Sequence, residues 1–518
     1  MKVAVIGSGV SGLAATWLLN EHSDHTVHLY EADSRPGGHA HTVQFTPPKV
    51  KDDSLGIAVD TGFIVFNPST YPNFLRFLRT HASTKDCILP TEMTFSVSRD
   101  GGAFEWAGKN LGTVFCQLRN LLEPDMWRLV WDVARFNACA GRFLSEEGHD
   151  KEMPIGEYLD REGYSSSFRD NYLIPMTAAI WSTPPDKCTM DFPARTLIQF
   201  LHNHHLLQVT GKPSWLTLKG GSKVYVDQIL SALPESQLHL STRVQSIAVQ
   251  DPTTSRTILN TSHGPSDAYD HVIFACHSDA VLEILRASGE GGITQEEEEI
   301  LSAFEWSKNE AVLHADDSLM PRSRLAWSCW NYLTRSVVDS HGRRKANEDT
   351  VALTDGMNDL QHIPESIYGP VLVTLNPPFE PKPDLLVGRW RYDHPILNAK
   401  AVYAQKQMHK IQGKRGISYA GAYLRYGFHE DGFTSGLVAA AALGSHNDLG
   451  SNELTKVTVR PPFPIEYAEK EVKRTTLVVI IAALFDLVEA LGVRWFVGLV
   501  GSTILGMVGW ATGVHTVA

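Results

Sequence analysis

Residues Gly7-Ser8-Gly9-Val10-Ser11-Gly12 stand between a continuous apolar run, Lys2 to Ile6, and an Ala/Leu-rich helical pattern from about Ser11 to Glu21. Three glycines at this spacing between a strand and a helix leave few folds open. The first permits a tight turn, the second lets backbone approach a pyrophosphate, and the third lets the helix pack on the strand. Thr26 to Tyr30 reads as a second strand, so the opening residues predict a right-handed parallel βαβ unit and an α/β fold. Glu31 follows Gly12 by nineteen residues, where a carboxylate accepts ribose hydroxyls, and the helix N-terminus offers partial positive charge to a phosphate. Gly7, Gly9, Val10, Ser11, Gly12, Glu31 and Ala32 are therefore predicted to contact a dinucleotide.

NAD enzymes share this triplet. The distinguishing string is Arg35-Pro36-Gly37-Gly38-His39, a second glycine pair just past the ribose carboxylate that an NAD site does not need. It lets backbone run close under the far end of a longer cofactor, so FAD is the expected ligand, with Arg35, Gly37, Gly38 and His39 among its contacts. Two later apolar strands, His271–Ala275 and Ile417–Ala420, resemble the opening one. The nucleotide domain is thus expected to be discontinuous.

Glu31 through Gly38 resembles the extended signature of the FAD-dependent amine oxidase and phytoene desaturase superfamily, with His39 where many members carry Arg. Val59-Asp60-Thr61-Gly62-Phe63, Arg243-Val244, His271–Cys276 and Tyr419-Ala420-Gly421 followed by Glu430-Asp431-Gly432 resemble its later motifs in order. The resemblance implies cofactor contacts at Thr61, Gly62, Val244, Ala275, Gly421, Glu430, Asp431 and Gly432, with Asp431 on the ribityl-diphosphate side. Phe200-Leu201-His202-Asn203-His204, Trp215 to Ser222, Val373 to Pro377 and Tyr426 to Gly432 look like strings of one subfamily of flavin-containing amine oxidases. A similar module is fused ahead of plant cyclopropane fatty acid synthases. The resemblance runs from residue 1 to about 445 and implies a FAD-binding Rossmann-like domain from residues 1–64, 216–294 and 376–450. An α+β substrate domain from 65–215 and 295–375 would complete the fold, before a linker (451–474) and a C-terminal hydrophobic helical tail (475–518). The superfamily holds amine oxidases, desaturases and isomerases, so the reaction stays open among them.

Flavin chemistry needs a donor carbon held against the isoalloxazine, and Trp181, Trp215, Trp306, Trp327, Trp330 and Tyr332 supply apolar surface for a substrate tunnel. His429, beside Glu430, and His314, in Leu313-His314-Ala315-Asp316-Asp317, are the polar candidates for catalysis, since a His–carboxylate pair can move a proton. Neither Cys188, Cys276 nor Cys329 has the context of a covalent flavin cysteine, so attachment is expected to be non-covalent. Lys219 and Lys308 lack the context of the lysine that polyamine-type oxidases use. His202, His204 and His205 have no carboxylate or cysteine at ligand spacing, and no metal is expected. The favoured reading is an oxidase or desaturase of a hydrophobic, lipid-like substrate. A redox-neutral double-bond isomerase, an amine oxidase and a flavin-binding scaffold remain beside it.

A formal charge of −12 without a basic stripe argues against nucleic acid as a partner. The six scattered cysteines suggest reduced thiols, and no secretory signal precedes the first strand. Trp495 to Val514 is twenty residues without a charge, enough to cross roughly 30 Å of hydrocarbon. Thr475–Phe485 is apolar but too short to span before Asp486 and Glu489 interrupt it, so it is expected to lie on the membrane surface or pair with the span. Lys470, Lys473 and Arg474 would sit on the cytosolic side. The chain is therefore expected to be membrane-associated with its catalytic part facing the cytoplasm, the endoplasmic reticulum being one candidate membrane. The polar stretches Lys49–Leu55, Asp251–Asp267 and Ser336–Asp349 read as surface loops or insertions.

Overall fold

The structure is a computed structural model that describes residues 1–48, 55–145, 153–183, 190, 192–207, 213–251, 256–338, 344–347, 351–443, 459–467 and 476–492. Its opening unit is the expected one: strand β1 (Lys2–Ile6), helix α1 (Val10–Glu21) and strand β2 (Thr26–Tyr30). Val3, Ala4 and Val5 have no exposed surface, as expected of a strand covered on both faces of a parallel sheet. Five parallel strands make that sheet, in the order Ile417–Tyr419, His271–Phe274, β1, β2, Leu238–His239. Both later apolar strands thus join β1 from far away in sequence.

Every residue of α1 from Ser11 to Leu19 is buried, because the helix is sandwiched between the sheet and a closing helix, His429–Ala442. Small residues set the distance. A Cβ on Gly436 would lie 2.0 Å from the Ser11 carbonyl oxygen, and one on Gly12 1.8 Å from the Gly7 carbonyl oxygen.

The second layer is a seven-stranded sheet in the order Leu386–Ile396, Glu305–His314, Leu372–Leu375, Leu353–Gly356, Trp330–Thr334, Phe95–Arg99, Phe104–Ala107. Its pairs are antiparallel except that Trp330–Thr334 runs parallel to Phe95–Arg99. This corrects one expected boundary. Residues 386–396 were expected within the nucleotide-binding domain, yet they pair with Glu305–His314 along ten register positions from Glu305↔Ile396 to His314↔Leu386 and belong to the seven-stranded sheet. The expected loop Asp251–Asp267 is corrected as well. Arg256–Thr261 and Gly264–Tyr269 form a hairpin on Val244–Asp251, with Thr257, Leu259 and Thr261 buried in alternation.

Asp60 ties the two halves together. Its carboxyl accepts from Thr42 Oγ1, Ser222 N and Oγ, and Gln361 Nε2 at 2.6 to 3.0 Å, and burial pushes it up to about 6. After the closing helix, Phe463 of the proline-rich segment stacks on Trp17 of α1, and Arg460 N donates to His22 O.

The expected span Trp495–Val514 and residues 451–458 of the expected linker lie outside the described residues. Among the described residues, no helix is long and apolar enough to cross a membrane. The tail helix, Thr476–Ala490, has fifteen residues and continues through Asp486 and Glu489, the two acids that interrupt its apolar run. These acids dock it on the domain. Arg142 Nη1 holds both Asp486 oxygens at 2.8 and 2.6 Å, and Trp131 Nε1 donates to Glu489 at 3.1 Å.

Gly436→Ala is expected to lower stability by about 1–3 kcal/mol, because the new methyl meets backbone that cannot retreat without moving α1. Urea unfolding followed by circular dichroism checks it; an unchanged midpoint would show that the two helices are free to separate.

Candidate functional site

The site begins at the carboxyl end of β1. Gly7, at φ +103°, donates its N–H to Tyr30 O, which turns the chain sharply into α1. Gly9 is different in kind: its φ of −65° suits any residue, and a Cβ there would meet nothing within 4 Å. That empty space faces the N-terminus of α1, whose amides and dipole favour a phosphate. Gly38 lies against Gly9, at 3.1 Å from a would-be Cβ to the Gly9 Cα, so the second glycine pair closes over the first loop.

Glu31 holds the far edge of the loop. Its carboxylate accepts from Ser8 N at 2.8 Å, Ser8 Oγ at 2.6 Å and Asp33 N at 2.9 Å. A carboxylate offers about four acceptor positions, so one stays available to a ribose hydroxyl. Thr242 N donates to the Glu31 carbonyl, which brings the start of the Val244 strand beside it. Ala32 is exposed next to it. Arg35 Nη1 and His39 Nε2 are buried with no hydrogen-bond partner. Buried polar atoms are almost always satisfied, so two unpartnered ones beside an open glycine cradle fit the place of a missing ligand. The residues present fit a dinucleotide.

From this cradle one cavity runs toward the substrate sheet. Gly9, Val10, Ser11, Gly62, Ala275 and Gly421 line one end, while Ile180, Trp181, Trp215, Trp330, Leu353 and Asp355 line the other; His39, His277, Trp306, His394 and His429 lie along the same cavity. Four of the six aromatic candidates thus reach the cavity. Trp327 is instead covered by Arg324, and Tyr332 is core. Burial holds His39 and His394 down to about 3 and His277 down to about 4, so these rings are neutral. Cys276 also lines the cavity, its thiol pushed up to about 12 by burial.

The structure redistributes the closing motif. His429 stacks on Phe63 at 3.7 Å and pairs through Nε2 with the Tyr225 hydroxyl at 2.9 Å; it lines the cavity and burial keeps it neutral. Glu430 does not face the cavity beside it. Its carboxyl takes the Asn73 and Phe74 amides at 2.8 and 3.0 Å, capping the helix Pro72–Thr80, and burial pushes it up to about 8. Asp431 turns back to accept from Phe428 N at 3.0 Å, closing its own helix, and burial raises it to about 6. Gly432 is a packing residue, 2.6 Å from Val10 Cγ1 were it to carry a Cβ. Thr61 pairs with Tyr392 Oη at 2.7 Å rather than lining the cavity.

His314 is corrected outright. Its Nδ1 accepts from Asp316 N and its Nε2 donates to Thr374 Oγ1, whose hydroxyl continues to Thr354 and then to Leu319 O. Both nitrogens are spent, burial holds the ring down to about 4, and it does not line the cavity that runs from the glycine cradle. Asp355 was missed. The sequence signal was an acid at an inward position of the apolar strand Leu353–Gly356, where Leu353 and Asp355 share one face.

The sequence model of the family described as flavin containing amine oxidoreductase matches residues 10–289, more than half of the chain. No curated protein sequence matches. Among solved structures, a CLA-producing fatty acid isomerase from P. acnes superposes with a TM-score of 0.55 at 14% identity, covering 84% of this chain and 97% of that one. Cyclohexylamine oxidase from Brevibacterium oxydans IH-35A gives 0.54 at 14% identity, with 85% and 98% covered. Reduced UDP-galactopyranose mutase gives 0.53 at 17%, with 86% and 96% covered. At these identities the likeness is one of fold.

Gly9→Val should abolish flavin content while leaving the unfolding midpoint of cofactor-free protein unchanged, whereas Gly12→Val should lower that midpoint; flavin absorbance and thermal unfolding separate them. His314→Leu is expected to leave flavin content intact and cost roughly 1–3 kcal/mol by leaving the Asp316 N–H without its acceptor, as urea titration would measure.

Proposed function

We propose that this chain, which belongs to the flavin containing amine oxidoreductase family, binds FAD non-covalently and oxidises a largely apolar, lipid-like substrate. The observation that carries this reading is a single cavity with a glycine cradle at one end and three tryptophans at the other. FAD is preferred among flavins because the α1 N-terminus, Glu31 and the paired glycine loops provide for a pyrophosphate and a ribose, which FMN lacks in that arrangement. When bound, the flavin supplies a hydride acceptor.

The chain's own residues exclude water and orient. Trp181, Trp215 and Trp330 wall off the far end, and the first residues of the closing helix, Phe428 and His429, bring that helix's positive end to the cavity. Cys276, the cysteine among the cavity's described residues, is kept protonated and is a poor nucleophile. Acid precipitation is therefore expected to release all flavin into the supernatant.

We also propose that the tail attaches the chain to a membrane with the catalytic part on the cytoplasmic side. The tail helix is amphipathic in an inverted sense. Its Asp486 and Glu489 dock on the domain, while Leu477, Ile480, Leu484, Leu487 and Leu491 are 53–66% exposed along one face. A bilayer surface suits such a stripe, and the uncharged stretch 495–514 follows directly.

Anaerobic addition of substrate from a panel of neutral lipids and amines is expected to bleach the purified protein. Product formed without net bleaching would instead favour double-bond isomerisation, and neither outcome would favour a scaffold. Deleting residues 476–518, or combining Leu484→Glu with Leu487→Glu, should shift the chain from the membrane pellet to the supernatant. Unchanged sedimentation of both variants would sink the attachment.

A further inference from the structure

The substrate end of the cavity contains one polar atom that nothing in the fold accounts for. Asp355 is 9% exposed and its Oδ1 has no hydrogen-bond partner. Register fixes where it points. Trp330 lies directly opposite Asp355 and Leu353 precedes it by two, so all three project from the same face of the sheet, and all three line the cavity. Thr354, on the other face, is fully satisfied through Thr374 and Leu319. An unsatisfied buried carboxyl is destabilising, and its presence among tryptophans serves no packing purpose.

The charge balance of the cavity limits what Asp355 can hold. Among the described residues lining it there is no lysine or arginine. His39, His277, His394 and His429 are neutral, and Asp393 is the other acid. A carboxylate head would bring an uncompensated negative charge into a low-dielectric space. An ammonium head would require a buried ion pair with no further donors to the Asp355 carboxylate, a poor exchange for two hydrated charges. A hydroxyl or carbonyl oxygen accepts the proton of a neutral carboxyl and introduces no charge. Burial alone, with no charged partner, pushes Asp355 up to about 8, which agrees with the neutral form.

Resting on the cavity being the substrate site proposed above, we propose that Asp355 is the specificity-determining contact for the substrate's polar end, and that this end is an uncharged oxygen group, hydroxyl or carbonyl, on an apolar chain. The carboxyl donates to that oxygen and so places the adjoining carbons along the tryptophan walls toward the glycine-lined end. No bond is made or broken at Asp355 itself.

Isothermal calorimetry on the full-length protein, with 1-decanol, decanoate and decylamine as probes, tests this. The wild type should bind 1-decanol at least about tenfold more tightly than either charged probe, the scale of one buried hydrogen bond left unmade. Asp355→Leu should erase that preference and raise the Tm, because it removes an unsatisfied polar group. Asp355→Asn, which keeps a neutral donor and acceptor, should retain 1-decanol binding. Decylamine or decanoate binding as tightly as 1-decanol would overturn the proposal. So would an unchanged 1-decanol affinity in Asp355→Leu, or a lowered Tm, which would make the carboxyl structural. Flavin absorbance is read on the same samples: colourless protein that keeps the Asp355-dependent preference would defeat the flavin reading and leave this one standing. Yellow protein without the preference does the reverse.

Discussion

Everything in this molecule depends on how closely three backbones approach one another at α1. Gly12 lets the helix touch the turn at Gly7, and Gly436 lets the closing helix touch Ser11, so the first helix is held between the parallel sheet and residues more than four hundred positions later. Side chains at either glycine would push the layers apart. Because they are absent, the glycine loop, Ala275 at the end of one strand and Gly421 at the end of another meet at one point. The site is a consequence of that contact, since each of these segments alone exposes unremarkable backbone.

The same dependence explains which parts of the fold were legible. The βαβ unit is local: its strands, turn and helix are contiguous, and their periods and glycines can be read directly. His271–Phe274 and Ile417–Tyr419 could be assigned because they repeat the apolar character of β1. The substrate sheet could not be assembled in this way. Its strands come from residues 95–107, 305–375 and 386–396, and no local rule says that Leu386–Ile396 should leave the nucleotide half to pair with Glu305–His314. The hairpin over Arg256–Tyr269 failed for a different reason. Its serines, threonines, glycine and Pro265 signal a loop, while the alternation of Thr257, Leu259 and Thr261 toward the interior is carried by residues that are only half apolar.

Residue type is a weaker guide to chemistry than hydrogen-bond completeness. His314, Glu430 and Asp431 are the kinds of side chain that catalyse, and their motifs invited that reading. In the fold each is already occupied: His314 by a threonine sixty residues away, Glu430 by the first amides of a helix, Asp431 by its own helix start. Glu31 keeps acceptor capacity, and Arg35, His39 and Asp355 keep atoms that the protein leaves unsatisfied. Folding tends to eliminate such atoms because each is costly when buried. Under the function proposed above, the partners that Arg35 and His39 lack beside the glycine loops, and that Asp355 lacks among the tryptophans, are ligands.

This asymmetry also bears on how two ligands are kept apart in a shared cavity. The cradle end presents backbone amides, a helix N-terminus and the Arg35 cation near it, an arrangement that attracts a diphosphate. The far end presents tryptophan walls and the uncharged Asp355 carboxyl, with no lysine or arginine among the described lining residues to meet a diphosphate. A dinucleotide entering in the wrong sense would place its phosphates against Trp330 and Asp355 and lose every amide contact. Under the function proposed above, its orientation would be set by electrostatics before any shape complementarity at the ring is considered. An apolar molecule gains nothing at the cradle and buries its surface only among the tryptophans. Under the function proposed above, the polarity gradient of a single cavity would sort the two occupants, and the acid at its apolar extreme would bear on what is held there.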